Sequence, residues 1–275
     1  CCSPRDNPAM KQTWHEVVNG WLAWLKAGGA RPQTLTLRRQ QATRFGADVG
    51  GVGPWECSAD DLAGWLSGHE WSRETMRSHR AMLRSLYGWG HAGGKITEDP
   101  ARMLRKVPAS TPAPRPAGDD VIGAALARAD ERVALMLILG SRHGLRRGEI
   151  AQVHTRDLTI VGDVTWLTVH GKGGKKRRVP VAGEGGRLLR AAPTGWVFPG
   201  RSGPMTAAHA GKLMRQALGS ATAHQLRHRF ASVAYQRSGD IVAVSRLLGH
   251  ASVATTQRYV ATDDQVLLRV AAGAA

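Results

Sequence analysis

A mainly α-helical protein with one small antiparallel sheet is predicted for this chain, on three observations. Apolar residues recur at helical spacing in both halves, a short β-branched region lies between residues 158 and 181, and a proline-rich stretch separates two parts. In that stretch, Val107 to Gly118, four prolines withhold backbone donors and bias their predecessors toward extended backbone. It reads as a semi-rigid linker. Residues 1–107 and 119–275 are then the expected domains, with 108–118 between them, and 275 residues suffice for two separate cores.

The first part reads as an all-helical bundle. Trp14, Val17, Val18, Trp21, Leu22 and Leu25 form one apolar stripe that stops near Gly28 and Gly29. An arginine-rich helix is expected from Gln33 to Phe45. Ser58 then caps a short helix through Leu66, and Ser72 a longer one up to Gly93. Seven of the nine tryptophans lie in this part, most of them on apolar stripes, which favours core packing over stacking on bases. Arg73, Arg77, Arg80 and Arg84 step by three and four along one face. A solvated face and a phosphate-contacting face both fit them.

In the second part, helices are expected at Asp120 to Ala129 and Glu131 to Ser141, with another starting at Arg147. Leu158 to Val161, Val164 to Val169 and Arg178 to Val181 are short, β-branched and bounded by glycine turns, as three antiparallel strands would be. Helices resume at Gly186 to Ala191, Thr206 to Ala217, His224 to Gln236, Ile241 to Leu248 and Ser252 to Thr262, with a tail helix from Asp264.

Composition narrows the partners. Lys and Arg number 38 against 21 acids, a net charge of +17 with a pI near 11.0. Residues 1–110 hold 15 basic and 10 acidic side chains and residues 111–275 hold 23 and 11, so the second part carries most of the excess. Such a balance bears on partners rather than on fold, and nucleic acid is the first candidate. No run approaches the ~20 apolar residues of a bilayer span, and the start has no signal-peptide core, so a soluble intracellular protein is expected. The three cysteines, Cys1, Cys2 and Cys57, make neither a disulfide framework nor a zinc site.

Displacement at a phosphodiester needs an in-line nucleophile, cations beside the non-bridging oxygens and an acid for the departing oxygen. Each role has a candidate here. Arg146 follows Gly144 and Leu145 at the start of a helix, where a guanidinium and backbone amides can face one anion. Glu149, one turn on, either buttresses that arginine or pairs on the surface. His224 and Arg227 lie three apart and can project toward one phosphate. His228, four from His224, also gives a zinc-ligand spacing, but no Glu follows His224 and the neighbouring arginines would repel a divalent cation. Lys172 sits with Lys175, Lys176 and Arg177 in the run Val169 to Arg178, a glycine-rich turn between two expected strands. That hairpin could follow a DNA groove and bring one ammonium to a leaving oxygen, or be a solvated basic loop. Tyr259, nine positions after His250, supplies a phenol, and Tyr235, inside the helix begun at His224, is its nearest rival.

Gly144-Leu145-Arg146-x-x-Glu149, Gly171-Lys172-Gly173, His224-x-Leu226-Arg227-His228, Leu248-Gly249-His250 and Tyr259, in that order, resemble the tyrosine recombinase family of phage integrases and Xer-type resolvases. The likeness covers the second part throughout, whereas the first matches only in type, as a helical core-binding (SAM-like) bundle before an α+β catalytic domain. The resemblance implies Tyr259 as nucleophile, Arg146 and Arg227 as phosphate clamps and Lys172 as general acid. It makes His224 a proton-transfer and phosphate-binding group, and His250 a hydrogen-bonding partner of the phosphate. Glu149 supports them, while Arg73, Arg77, Arg80, Arg84, Lys175, Lys176 and Arg177 would contact DNA.

On this resemblance the enzyme joins DNA attachment sites as a homotetramer on two sites, through a 3′-phosphotyrosyl link and a Holliday junction. It would need no cofactor and no metal. A directionality factor is a candidate partner, no membrane is involved, and the setting is the cytoplasm of a bacterial host, on the nucleoid when DNA-bound. Because the first helix begins almost at once, a separate arm-binding domain is expected to be absent. The tail helix with Val266, Leu267, Leu268 and Val270 would dock on a neighbouring protomer, and the small apolar terminus looks like a degradation signal. A type IB topoisomerase and a catalytically silent DNA-binding protein are the alternatives.

Overall fold

The computed structural model describes residues 12–109, 115–171 and 174–250. Two compact units, 1–111 and 112–275, divide the chain within its proline-rich stretch. The expected helix from Ser252, the tail helix and the chain terminus lie outside the described residues.

Four helices build the first unit: α1 (Trp14–Ala27), α2 (Pro32–Asp48), α3 (Ala59–Ser67) and α4 (Arg73–Ala92). Their starts follow local chemistry. Thr13 with Glu16 and Ser58 with Asp61 close reciprocal capping boxes, Ser72 accepts from the Thr75 N–H, and Pro32 opens α2, where its missing donor costs nothing. Trp21, Phe45, Leu62, Met82, Leu83, Leu86 and Tyr87 are fully buried where the stripes meet. Phe45 meets Trp14 and Trp65 edge-on, so the tryptophans serve the core as their spacing predicts. Trp24 is the exception, at 51% exposure.

The second unit wraps helices around α6 (Glu131–Ser141), whose residues from Leu135 to Ser141 are buried without a break. It packs against α5 (Asp119–Arg128), α9 (Ala207–Leu218) and α10 (Ala223–Ser238), and also against the short α7 (Arg147–Ala151) and α8 (Gly183–Ala191). The helix α11 (Ile241–Leu248) closes against α10. Beside the helices lies the expected antiparallel sheet, in order β1 (Leu158–Val161), β2 (Val164–His170), β3 (Lys176–Val181). A two-residue ribbon of β4 (Pro199–Gly200) and β5 (Gly203–Pro204) is too short for an apolar pattern to announce.

One boundary has consequences. β3 begins at Lys176, two residues before the strand expected from sequence, and pairs through Val169 with Arg177 and Leu167 with Val179. Side chains alternate across a strand, so Arg177 shares its face with the buried Val179 and Val181, while Lys176 and Arg178 face solvent. Among the described residues no helix is long and apolar enough to cross a membrane.

Leu83 is fully enclosed between helices of the first unit, so Leu83→Ala should cost about 3 kcal/mol through lost transfer energy and the cavity left behind. Urea denaturation followed by tryptophan fluorescence measures this, because seven of the nine tryptophans report on that unit.

Candidate active site

A buried carboxylate organises the cleft. Glu149 lies on α7 with its side chain only 6% exposed, and three guanidiniums surround it. Arg177 donates from Nη1 and Nη2 to Oε1 and Oε2, both at 2.8 Å, a bidentate pair. Arg146, the N-cap of α7, donates its backbone N–H to Oε2 at 2.8 Å and Nη1 to Oε1 at 2.9 Å. Arg227 Nη1 stands 3.9 Å from Oε2. Burial alone would raise the pKa of this carboxyl, but the hydrogen bonds and charge of Arg177, followed by those of Arg146, hold it down at about 2. Glu149 is therefore ionised, and one negative charge among three positive ones leaves the cleft strongly cationic.

The other anchor is the end of α11. Its last carbonyls have no intrahelical donors, and the helix dipole is negative there. Leu247 O accepts from Arg177 Nε at 2.7 Å, and Leu248 O accepts from Arg227 Nη2 at 2.6 Å and Arg146 Nη1 at 3.3 Å. Three arginines thus finish one helix. Arg227 also donates to the Gly144 carbonyl, which a left-handed turn at φ +67° presents to it. A Cβ at Gly144 would lie 2.4 Å from the Phe230 ring, so this turn has no room for another residue. Gly249 ends α11 at φ +64°, and there a Cβ would meet the Arg177 side chain at 2.9 Å.

Two histidines complete the arrangement. Arg227 Nη2 donates to His250 Nε2 at 3.0 Å, which requires that nitrogen to be unprotonated. Burial, then the charges of Arg227, Arg146 and Arg177, push the His250 imidazole down to about 4. His224, in the first turn of α10, is lowered by burial and by Arg227 and Arg146. It packs edge-on against His228, itself lowered to about 4 by burial, His224 and Arg227. Arg146, Arg147, Arg215, His224 and Arg227 line an open cleft of about 560 Å³.

The fold thus gathers Arg146, Glu149, His224, Arg227 and His250, which the sequence scatters over more than a hundred positions. Lys172 and Tyr259 lie outside the described residues. Lys175 and Lys176 are exposed on the hairpin, as a groove-following and a solvated loop both require. Arg177 differs from them: its side chain is 12% exposed and its guanidinium bonds to Glu149 and Leu247 O, because strand alternation turns it inward. In the first unit, Arg80 is half-buried and donates to the carbonyl of Leu104, Arg84 is exposed but donates to those of Ala101 and Arg102, Arg77 pairs with Glu74 at 2.8 Å and Arg73 is exposed. Arg147 and Arg215 were not singled out from sequence. Arg147 directly follows Arg146, and Arg215 lies on a helix that carries no motif. Among the described residues no cluster of His, Cys, Asp or Glu is disposed to hold a metal ion.

An open cationic cleft on this mainly helical fold, with imidazoles lowered in pKa beside paired arginines, is suited to one phosphate. The phage integrase family matches residues 120–266. Tyrosine recombinase XerC of Xanthomonas campestris pv. campestris (strain B100) is 34% identical over 219 residues, covering 72% of this chain and 67% of its own. Tyrosine recombinase XerD of Caulobacter vibrioides is 31% identical over 217 residues, covering 68% and 70%. Among solved structures, a lambda integrase dimer bound to a COC′ core site superposes with a TM-score of 0.74 at 20% identity, covering 96% of this chain and 82% of that one. XerH bound to difH in a pre-cleavage complex gives 0.70 at 19%, covering 94% and 83%. The chain belongs to the phage integrase family and is a tyrosine site-specific recombinase.

The lowered imidazoles make a measurable prediction. His143, which follows α6 and is lowered chiefly by burial, and His228 and His250 each bind a proton more weakly folded, at about 4, than at the ordinary 6.5. The unfolded chain therefore takes up more protons in that window, and stability should fall as pH is lowered from 6.5 toward 4. The share contributed by Glu149 is present above its ordinary 4.5 and is lost as pH falls toward 2. Melting temperature recorded against pH tests the sign, and a flat profile between 6.5 and 4 contradicts it.

Proposed function

We propose that the cleft holds a scissile DNA phosphate, and that this recombinase cuts and rejoins strands through Tyr259. The observation that carries the reading is the ionised, buried Glu149, which fixes guanidiniums so that they surround an anion without rearranging. Arg146 and Arg227 bind the non-bridging oxygens and His250 hydrogen-bonds one of them. The arriving negative charge draws His224 and His250 toward protonation. A phenol of ordinary pKa near ~10 is a weak nucleophile at neutral pH, and this field favours its phenolate.

In the step itself the Tyr259 oxygen bonds to phosphorus while the bond from phosphorus to the 5′ oxygen breaks. His224 serves in transferring the phenol proton, and Lys172 protonates the departing oxygen. The 3′-phosphotyrosyl link conserves the bond energy, so reversal by another strand's 5′ hydroxyl needs neither nucleotide triphosphate nor metal. Four protomers acting on two double-stranded attachment sites would exchange one strand pair, pass through a Holliday junction, and exchange the other. The first unit would bind core-type DNA, and a directionality factor is a candidate regulator. We place this work in the cytoplasm of a bacterial cell.

Incubation with a nicked suicide substrate should give a covalent adduct with the wild-type chain and none with Tyr259→Phe. Arg227→Ala should lower the rate by about 10²–10³, in the range of a lost transition-state donor. An adduct retained by the Tyr259 variant overturns the mechanism. Chelator should leave the yield unchanged, and two target plasmids should yield joined products, whereas relaxation alone would indicate a topoisomerase. Affinity should fall steeply with added salt as phosphate contacts are lost.

A further inference from the structure

We infer that Arg177 is a positioning residue of the recombination reaction, setting the geometry of the phosphate-binding arginines through Glu149 without touching DNA itself. It rests on the assignment of the cleft to the scissile phosphate, and adds to Arg146 and Arg227 a third arginine with a different task.

Its guanidinium is the strongest partner Glu149 has. Two parallel bonds of 2.8 Å take one donor to each carboxylate oxygen, and those same oxygens receive the Arg146 backbone N–H and its Nη1. The third donor, Nε, goes to Leu247 O at 2.7 Å. Arg177 therefore ties three elements together: β3, on which it sits, the start of α7, and the end of α11. Leu248 O, the next carbonyl along, accepts from both Arg146 and Arg227, and His250 follows two residues later. A displacement of the α11 terminus would carry the anchors of both phosphate clamps with it.

A lysine could not replace these bonds. One ammonium cannot span two carboxylate oxygens in a plane and still reach the Leu247 carbonyl, as the fork of a guanidinium does. A Cβ at Gly249 would lie 2.9 Å from Arg177 Cδ, so the glycine leaves the room that the Arg177 stem takes. With 12% of its side chain exposed, Arg177 has little surface to offer a DNA backbone.

Among the described residues, the charged and titratable groups that face Glu149 are Arg146 at the start of its own helix, Arg177 from β3, Arg227 from α10 and His250 beyond α11. Removing Arg177 takes away the largest influence that keeps this carboxyl ionised and leaves burial opposing it. Once protonated, Glu149 can no longer accept from both the N–H and the guanidinium of Arg146.

The experiment compares Arg177→Gln, Arg177→Lys and the double variant Arg177→Gln/Glu149→Gln with the wild-type chain. Single-turnover adduct formation on the suicide substrate is followed against pH, alongside DNA affinity and the near-ultraviolet circular dichroism spectrum. Arg177→Gln should slow adduct formation by about 10²-fold, the scale expected when reacting groups shift by roughly 1 Å, with affinity within about threefold of wild type. It should also gain an acid limb in its rate profile that the double variant lacks, since the amide replacing the Glu149 carboxyl cannot titrate. Arg177→Lys should recover the wild-type acid limb but only part of the rate. If Arg177→Gln does not fold, the lysine variant carries the test: a wild-type rate there overturns the proposal. A rate loss matched by an equal loss of affinity would make Arg177 a DNA contact and overturn it too, as would an unchanged pH profile. Adduct formation at the wild-type rate by Arg177→Gln, with none from Tyr259→Phe, sinks this inference and leaves the cleft assignment standing, whereas an adduct from Tyr259→Phe overturns the assignment itself.

Discussion

The second unit depends on the stability of one charge in a place where charges are costly. An isolated carboxylate buried as deeply as Glu149 would take up a proton, and the guanidiniums around it would then repel one another without compensation. Their mutual presence resolves both problems. The carboxylate keeps the arginines close, the arginines keep the carboxylate ionised, and the unpaired carbonyls of α11 take the donors that remain. What results is a surplus of positive charge held in fixed positions before any substrate arrives. Catalysis by electrostatic preorganisation requires such an arrangement, because the reorganisation is completed during folding.

Much of this was legible in the sequence, and the divisions between what was and was not have physical reasons. The helix starts after Ser58 and Ser72 were readable because those side chains satisfy backbone donors within their own segments. The motif residues Arg146, His224, Arg227 and His250 were readable by type and order, and the fold does gather them. The status of Glu149 was not, since an acid one turn from an arginine is as common on a surface as in a core; only Arg177, 28 positions later, decides it. Arg177 itself was hidden by its neighbours. In a run of lysines and arginines each looks equally solvated, and only extending the strand two residues toward the turn shows that positions 177, 179 and 181 share one face.

The first unit shows a related ambiguity. Arg73, Arg77, Arg80 and Arg84 form one helical row, yet their surroundings differ. Arg80 and Arg84 hold carbonyls of the segment after the helix, and Arg77 leans on Glu74. A row of like charges is thus part scaffold and part surface. The tryptophans divide more simply, because an indole on an apolar stripe gains more from burial than from exposure, and only Trp24 departs from it.

Strand alternation at β3 also bears on how this hairpin can vary. Between β2 and β3 the turn can lengthen, shorten or change its charges without disturbing which residues face inward, provided the pairing of Val169 with Arg177 is kept. A slip of one residue in that pairing would instead bring Lys176 or Arg178 to the place where Glu149 waits, and turn Val179 out to solvent. The length of the turn is thus free to vary while the register beneath it is all-or-none, so adjacent residues of one hairpin stand under opposite constraints.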